Sequence, residues 1–175
     1  MRRNCVLLVM MTVLLHGSPA FADLTAFVGA TTDPATRFTR GLAIGMSLII
    51  VGFEFEYADA DGDDEDDAGC SAIAPPGGGD CKPSLRTGMA NVLLQTPRGI
   101  TPFQLYGTIG GGVYRQHSNR ADISDTGFGS NVGGGVKIDL IGPLRLRLDY
   151  RIFKLSGADF SDNPHRFYAG ANLAF

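Results

Sequence analysis

The sequence predicts an all-β chain that closes into an eight-stranded antiparallel up-and-down transmembrane β-barrel, and two patterns carry that expectation. The first is alternation. Residues 144–152 set leucine, tyrosine and isoleucine on one parity and Arg145, Arg147, Asp149 and Arg151 on the other. A strand repeats its side-chain direction every two residues, so this segment has one wholly apolar and one wholly charged face. The second is charge balance. The residues assigned to the charged parity are Glu54, Glu56, Asp139 and Asp149 against Lys137, Arg145, Arg147 and Arg151. Four acids and four bases suit the interior of a narrow barrel, where charges must pair or be strongly destabilising. In a soluble sheet the charged face would meet water and the balance would have no cause.

The N-terminus reads as a processing segment rather than part of the fold. Arg2 and Arg3 form a positive start, an apolar run follows, and Ala20-Phe21-Ala22 supplies small residues around a cut. Residues 1–22 are therefore expected to be a cleaved signal peptide and residues 23–175 the barrel. Removal of two arginines leaves 15 − 2 = 13 basic against 18 acidic residues, a net charge of −5. That balance excludes a basic nucleic-acid-binding face. No other run is long and apolar enough for a spanning helix.

Eight strands of about 8–13 residues can be placed in order, against the ~9–11 that a tilted strand needs to cross a bilayer. The first, 24–31, ends at Thr32-Asp33-Pro34, and its inward parity is ambiguous. The second, 41–48, alternates Leu42, Ile44, Met46 and Leu48 with Ala43, Gly45 and Ser47. The third, 51–58, opposes Phe53, Phe55 and Tyr57 to Glu54 and Glu56. A long acidic and then Pro/Gly-rich insertion at 59–84 follows, too polar for a strand. The fourth, 85–95, is also ambiguous in parity. The fifth, 103–114, sets Phe103, Leu105, Ile109 and Val113 against Gln104, Tyr106, Thr108 and Tyr114. The polar stretch 115–125 reads as a second substantial loop. The sixth, 128–140, opposes Val132, Val136, Ile138 and Leu140 to Asn131, Lys137 and Asp139, and a short Gly142-Pro143 turn leads into the seventh. The eighth, 165–175, carries Phe167, Ala169, Ala171, Leu173 and Phe175 on one parity. Short connections are expected after the second, fourth and sixth strands, and longer polar loops after the others, the asymmetry of membrane barrels. Gly110, Gly112, Gly133 and Gly135 fall on the inward parity, which leaves space beside large lumen side chains.

The last strand carries a resemblance. Tyr168-Ala-Gly170-Ala-Asn-Leu173-Ala-Phe175 resembles the assembly signal of bacterial outer-membrane barrels: a polar residue, glycine two on, a hydrophobic residue and a terminal aromatic. Gly170, Leu173 and Phe175 match, and Tyr168 takes the polar position. The whole mature chain is similar to the small OmpA/OmpX-like outer-membrane β-barrel family. The resemblance implies a Gram-negative outer membrane and insertion by the barrel-assembly machinery. It implies no single activity, because this fold hosts structural, adhesive and enzymatic members.

The remaining candidate chemistry is sparse. Asp59, Asp61 and Asp63 open an acidic run with oxygen ligands for a hard cation. Its glycine is misplaced for a calcium loop, however, and no bidentate glutamate follows. A solvated loop accounts better for the run, with ion-bridged contact to lipopolysaccharide in between. Cys70 and Cys81 are the two cysteines beyond the leader, and in an exported chain a disulfide is expected. It would close a loop worth ~3 kcal/mol or less. His117, Ser118 and His165 are the residues of a conceivable hydrolase set, but neighbours in a strand point opposite ways, so His117 and Ser118 make a poor dyad. The expectation is a non-enzymatic monomer without cofactor or nucleic-acid partner. Its lumen is plugged by charges, its surroundings are outer-membrane lipid and lipopolysaccharide, and its role is structural or one of surface interaction.

Overall fold

The computed structural model describes residues 21–32, 36–62, 84–97, 101–118, 123–156 and 163–175. They form eight strands: β1 (Phe21–Thr32), β2 (Arg37–Ser47), β3 (Val51–Ala60), β4 (Ser84–Gln95), β5 (Phe103–Ser118), β6 (Ile123–Ile141), β7 (Leu144–Leu155) and β8 (His165–Ala174). Each strand pairs antiparallel with its sequence neighbours, and β8 returns to β1, so the sheet is a closed barrel without an edge. One row of paired residues starts at Thr32 and passes through His165, Ile152, Val132, Ile109, Val92, Phe53 and Met46. It re-enters β1 at Ala22, a stagger of 32 − 22 = 10 residues. A stagger of that kind is what tilts the strands and sets the barrel's width.

The two faces separate by polarity in the sense opposite to a soluble protein. Phe55 is 67% exposed while its neighbour Glu54 is 4% exposed, and Leu105 is 59% exposed beside Gln104 at 3%. Apolar side chains cover the outside of every strand, and the charged and amide side chains of the strand interiors point inward. This resolves the two ambiguous parities. Asp23, Thr25, Phe27 and Thr31 of β1 point inward, as do Leu85, Thr87, Met89, Asn91, Leu93 and Gln95 of β4.

Three expectations are corrected. The stretch 115–125 is not a long loop, since Arg115 pairs with Thr126, His117 with Ser124 and Ser118 with Ile123, extending β5 to 16 residues and β6 to 19. Beyond the apolar band both strand faces can be polar, so the ladder continues where alternation gives no signal. Long and short connections do not alternate strictly either. Residues 33–36 and 119–122 at the loop end are shorter than 96–102 at the turn end, where only 48–50 and 142–143 are shorter still. Finally, Asp59 and Ala60 belong to β3 and Ser84 to β4, which confines the long insertion to 61–83. Residues 63–83, with Asp63, Cys70 and Cys81, lie outside the described residues, as do residues 1–20 of the expected leader at 1–22.

At the opposite end, β6 and β7 are joined by Gly142-Pro143. Gly142 has φ of 59°, the conformation that glycine adopts at the first central position of a two-residue hairpin.

Candidate functional site in the barrel lumen

In a closed eight-stranded order β3 and β7 stand on opposite walls, and the strongest interactions run straight between them. Arg147 of β7 contacts both carboxylate oxygens of Glu54 on β3, through Nη1 and, at 3.2 Å, through Nη2. Its Nη2 also donates to Asp149 at 3.0 Å and its Nε to the Tyr106 hydroxyl at 2.7 Å. That hydroxyl in turn donates to Asp149. Arg151 repeats the crossing one step nearer the loop end. It reaches Glu54 and Asp149 at 2.9 Å each, and its Nη1 lies 3.1 Å from Glu56, within ion-pair distance. Arg166 of β8 closes on Glu56 at 3.1 Å and donates to Thr87 and Thr31. The Tyr168 hydroxyl lies 3.0 Å from Asp149 and 3.2 Å from Glu56 and accepts from Arg151. Its ring stacks on Phe27 at 4.1 Å.

Two further pairs lie nearer the turn end. Lys137 donates to Asp23 at 2.8 Å, and Arg145 bonds Asp139 at 2.6 Å and Gln104 at 2.7 Å. Toward the loop end the interior changes character. Ala60, Leu85, Met89, Tyr114, Phe153 and Leu155 form a buried apolar cluster across β3, β4, β5 and β7. Arg166 joins the two regions, its guanidinium 4.5 Å from the Phe153 ring centre.

The inward glycines sit where large groups press on the wall. A Cβ at Gly135 would lie 2.2 Å from the Leu148 carbonyl oxygen and 2.5 Å from the Tyr106 hydroxyl, and one at Gly133 2.2 Å from the Tyr150 carbonyl oxygen and 2.8 Å from Cγ of Arg151. Contacts that close are essentially never tolerated, so these positions hold the room that the crossing side chains occupy.

The structure brings together Glu54, Glu56, Arg147, Asp149 and Arg151, with Lys137 and Arg145 below them. Asp139 is displaced from the expected set. Its side chain is 52% exposed at the turn end, beside a register shift between Asp139 and Ile141. The expected four-to-four balance also fails. Among the described residues the buried charges are Asp23, Glu54, Glu56 and Asp149 against Arg37, Lys137, Arg145, Arg147, Arg151 and Arg166. Sequence reasoning set Tyr106 and Tyr114 on the inward parity, as found, but missed Asp23, Arg37, Arg166 and Tyr168 as lumen groups, and it missed that Tyr114 belongs to an apolar cluster. Parity alone would have found Arg166, which shares a face with Tyr168, Gly170 and Asn172.

The other sequence candidates fall elsewhere. Tyr168 and Gly170 point inward, whereas Leu173 and Phe175 face outward, and Phe175 exchanges backbone hydrogen bonds with Ala22 at 2.8 and 3.0 Å. Asp59 faces Arg86 at 3.4 Å and Asp61 faces Arg40 at 3.7 Å. Among the described residues no three metal-ligating side chains converge. His165 of β8 shares a 2.7 Å hydrogen bond with the Tyr150 hydroxyl on the outer wall, three strands from β5, where His117 and Ser118 stand. Among the described residues no helix is long and apolar enough to cross a membrane.

Known proteins of this architecture share little sequence with the chain. Neisserial surface protein A superposes with a TM-score of 0.63 at 15% identity, covering 89% of this chain and 97% of that one. The N-terminal β-barrel domain of Pseudomonas aeruginosa OprF gives 0.62 at 12%, covering 89% and 97%. The outer membrane enzyme PagL gives 0.52 at 12%, covering 86% and 98%. No curated protein matches the sequence. The family model for the outer membrane protein beta-barrel domain matches residues 15–175, so the chain belongs to the outer-membrane β-barrel family.

Proposed function

We propose that this protein is a structural barrel of a Gram-negative outer membrane with a closed lumen, and that its loop end serves surface interaction. The observation that carries the closed lumen is the pair of crossings from Glu54 and Glu56 to Arg147 and Arg151, which join opposite walls. An eight-stranded barrel has only enough interior for side chains, and these cross it with paired charges. The apolar cluster above them adds a second seal. Export by the leader at 1–22, insertion through the last strand, a Cys70–Cys81 disulfide and a monomeric state complete the reading.

Planar-bilayer recording on the refolded full chain tests it. The wild-type protein is expected to add no steady conductance, and Glu54→Ala with Arg147→Ala to admit ion flicker. A stable ohmic channel from the wild-type chain overturns the closed lumen. Catalysis is a weaker reading, because His165 is held by a tyrosine hydroxyl rather than set against a nucleophile. Release of fatty acid from lipid A or phospholipid by the purified protein would make it an enzyme after all.

A further inference from the structure

Four buried polar atoms on the inner wall of β4, β5 and β6 have no hydrogen-bond partner among the described residues: Gln95 Oε1, Thr108 Oγ1, Asn91 Nδ2 and Asn131 Oδ1. None of these residues is more than 6% exposed. The strand register makes them successive steps of one path. Gln95 pairs with Tyr106, two residues before Thr108, and Thr108 pairs with Leu93, two residues from Asn91. Gly110 then pairs with both Asn91 and Asn131, whose side chains are joined by a 2.8 Å hydrogen bond across it. A Cβ at Gly110 would collide with Asn91 Oδ1, so the glycine makes the room for this step. The path begins at the turn end, where Ser47 has an unpartnered hydroxyl as well. It climbs to one side of the crossings between β3 and β7 and ends under the apolar cluster. Met89 and Gly129 are the next inward residues beyond Asn91 and Asn131, and a Cβ at Gly129 would come within 2.9 Å of Leu155 and 3.4 Å of Met89.

We infer that a file of bound water runs from the turn end along β4, β5 and β6 to Asn131, and that the apolar cluster, rather than the ion-pair crossings, is the layer that stops protons from passing through the barrel. The chemistry of the four atoms selects the occupant. Two amide carbonyl oxygens accept, an amide group donates, and a hydroxyl does both. No formal charge stands among them, so an ion of either sign would meet only half of the set. Water is neutral, small enough for a narrow lumen, and satisfies donors and acceptors alike, as buried water does wherever polar groups lack a protein partner. Such a file relays protons: each water accepts one on its oxygen and releases another to the next, so its charge is unchanged when the relay is complete. The carbon atoms of Met89, Leu155 and Phe153 neither accept nor donate, and a constriction of that kind interrupts the relay by excluding water. The inference rests on the closed-lumen reading and assigns the stop to one layer of it.

The refolded full chain is placed in vesicles containing a pH-sensitive dye, and a potassium gradient with valinomycin drives proton uptake. Wild-type vesicles are expected to match protein-free ones. Met89→Ser with Leu155→Ser carries polar groups through the cluster and should raise the uptake rate about tenfold, and adding Thr108→Val should return it toward wild type by breaking the file below. Heat-modifiable gel migration identifies the variants that are folded, and a folded double variant that takes up no protons overturns the inference. Thr108→Val alone gives a reading that needs no flux. It should lower the urea midpoint if the hydroxyl holds water, whereas a raised midpoint means a dry hydroxyl and overturns the file. Should the double variant not fold, water-edited NMR of the wild-type chain in nanodiscs decides: transfer from water to the Asn91 side-chain amide supports the file, and none overturns it. Rapid uptake by the wild-type chain overturns the closed lumen itself.

Discussion

Two interiors are stacked along this barrel's axis and they are held by different forces. Toward the turns, Arg147, Arg151, Glu54, Glu56 and Asp149 bind opposite walls through ion pairs that must all be satisfied together. Toward the loops, Leu85, Met89, Phe153 and Leu155 pack without a charge among them. The charged layer tolerates little editing, because removing one member leaves its partners buried with a counter-charge missing. The apolar layer loses only contacts when trimmed. Position along one axis therefore decides how the same strand responds to mutation, and β7 samples both regimes within ten residues.

The sharpest way to break this contrast is Arg147→Leu. It leaves Glu54 and Asp149 facing each other with one base fewer, and should cost about 3–5 kcal/mol in the urea midpoint of the refolded barrel. Adding Glu54→Gln should recover part of the loss, since the two changes act on one pair. A strictly additive double variant would deny that the pair is a unit. One residue along the chain and on the opposite face, Leu148→Arg should cost about 2–4 kcal/mol if it stands near mid-membrane, measured by the same titration in vesicles. In the apolar layer, Met89→Ala should cost about 2 kcal/mol, the low end for such truncations because a flexible thioether site can partly collapse. A loss equal to that of Arg147→Leu would erase the distinction between the layers. Smallest of all, Asp59→Asn at the exposed Arg86 contact should change stability by less than about 1 kcal/mol, and less still in high salt.

Much of this is legible from alternation. Phe53 to Tyr57 and residues 144–152 declare two faces so plainly that strand type, orientation and the main lumen residues follow. Legibility fails where the environment ceases to be two-sided. The outer ends of β5 and β6 carry no apolar face, and their polar residues read as a loop although the backbone ladder runs on to Ser118 and Ile123. β4 fails for the converse reason. Leu93 points inward between the outward Val92 and Leu94, so apolar residues fall on both parities and no periodicity survives. The same mixing conceals the apolar cluster. Arg166 and Tyr168 are legible in the alternation of β8, opposite Phe167, Ala169 and Leu173, once its inward parity is read as well as its outward one. The displacement of Asp139 needs the bulge next to it, which no pattern of residue types announces. The unequal count of buried acids and bases has a similar origin. Asp23 takes the place of Asp139 among the acids, while Arg166 and Arg37, the latter at the head of a strand that reads as turn, add two bases.

The seam between the first and last strands has a kinetic consequence. Asp23 is paired with Ala174, so the sheet has no closed form until nearly the whole chain exists. Its most sequence-distant contacts are also the ones that eliminate the last open edge. Such contacts are entropically the slowest to make. Every shorter nascent chain exposes an adhesive β1 with unpaired backbone groups, and a chain truncated before Phe167 would keep that exposure permanently. Quality control that disposes of incomplete copies has one unambiguous feature to recognise: a first strand still waiting for its partner.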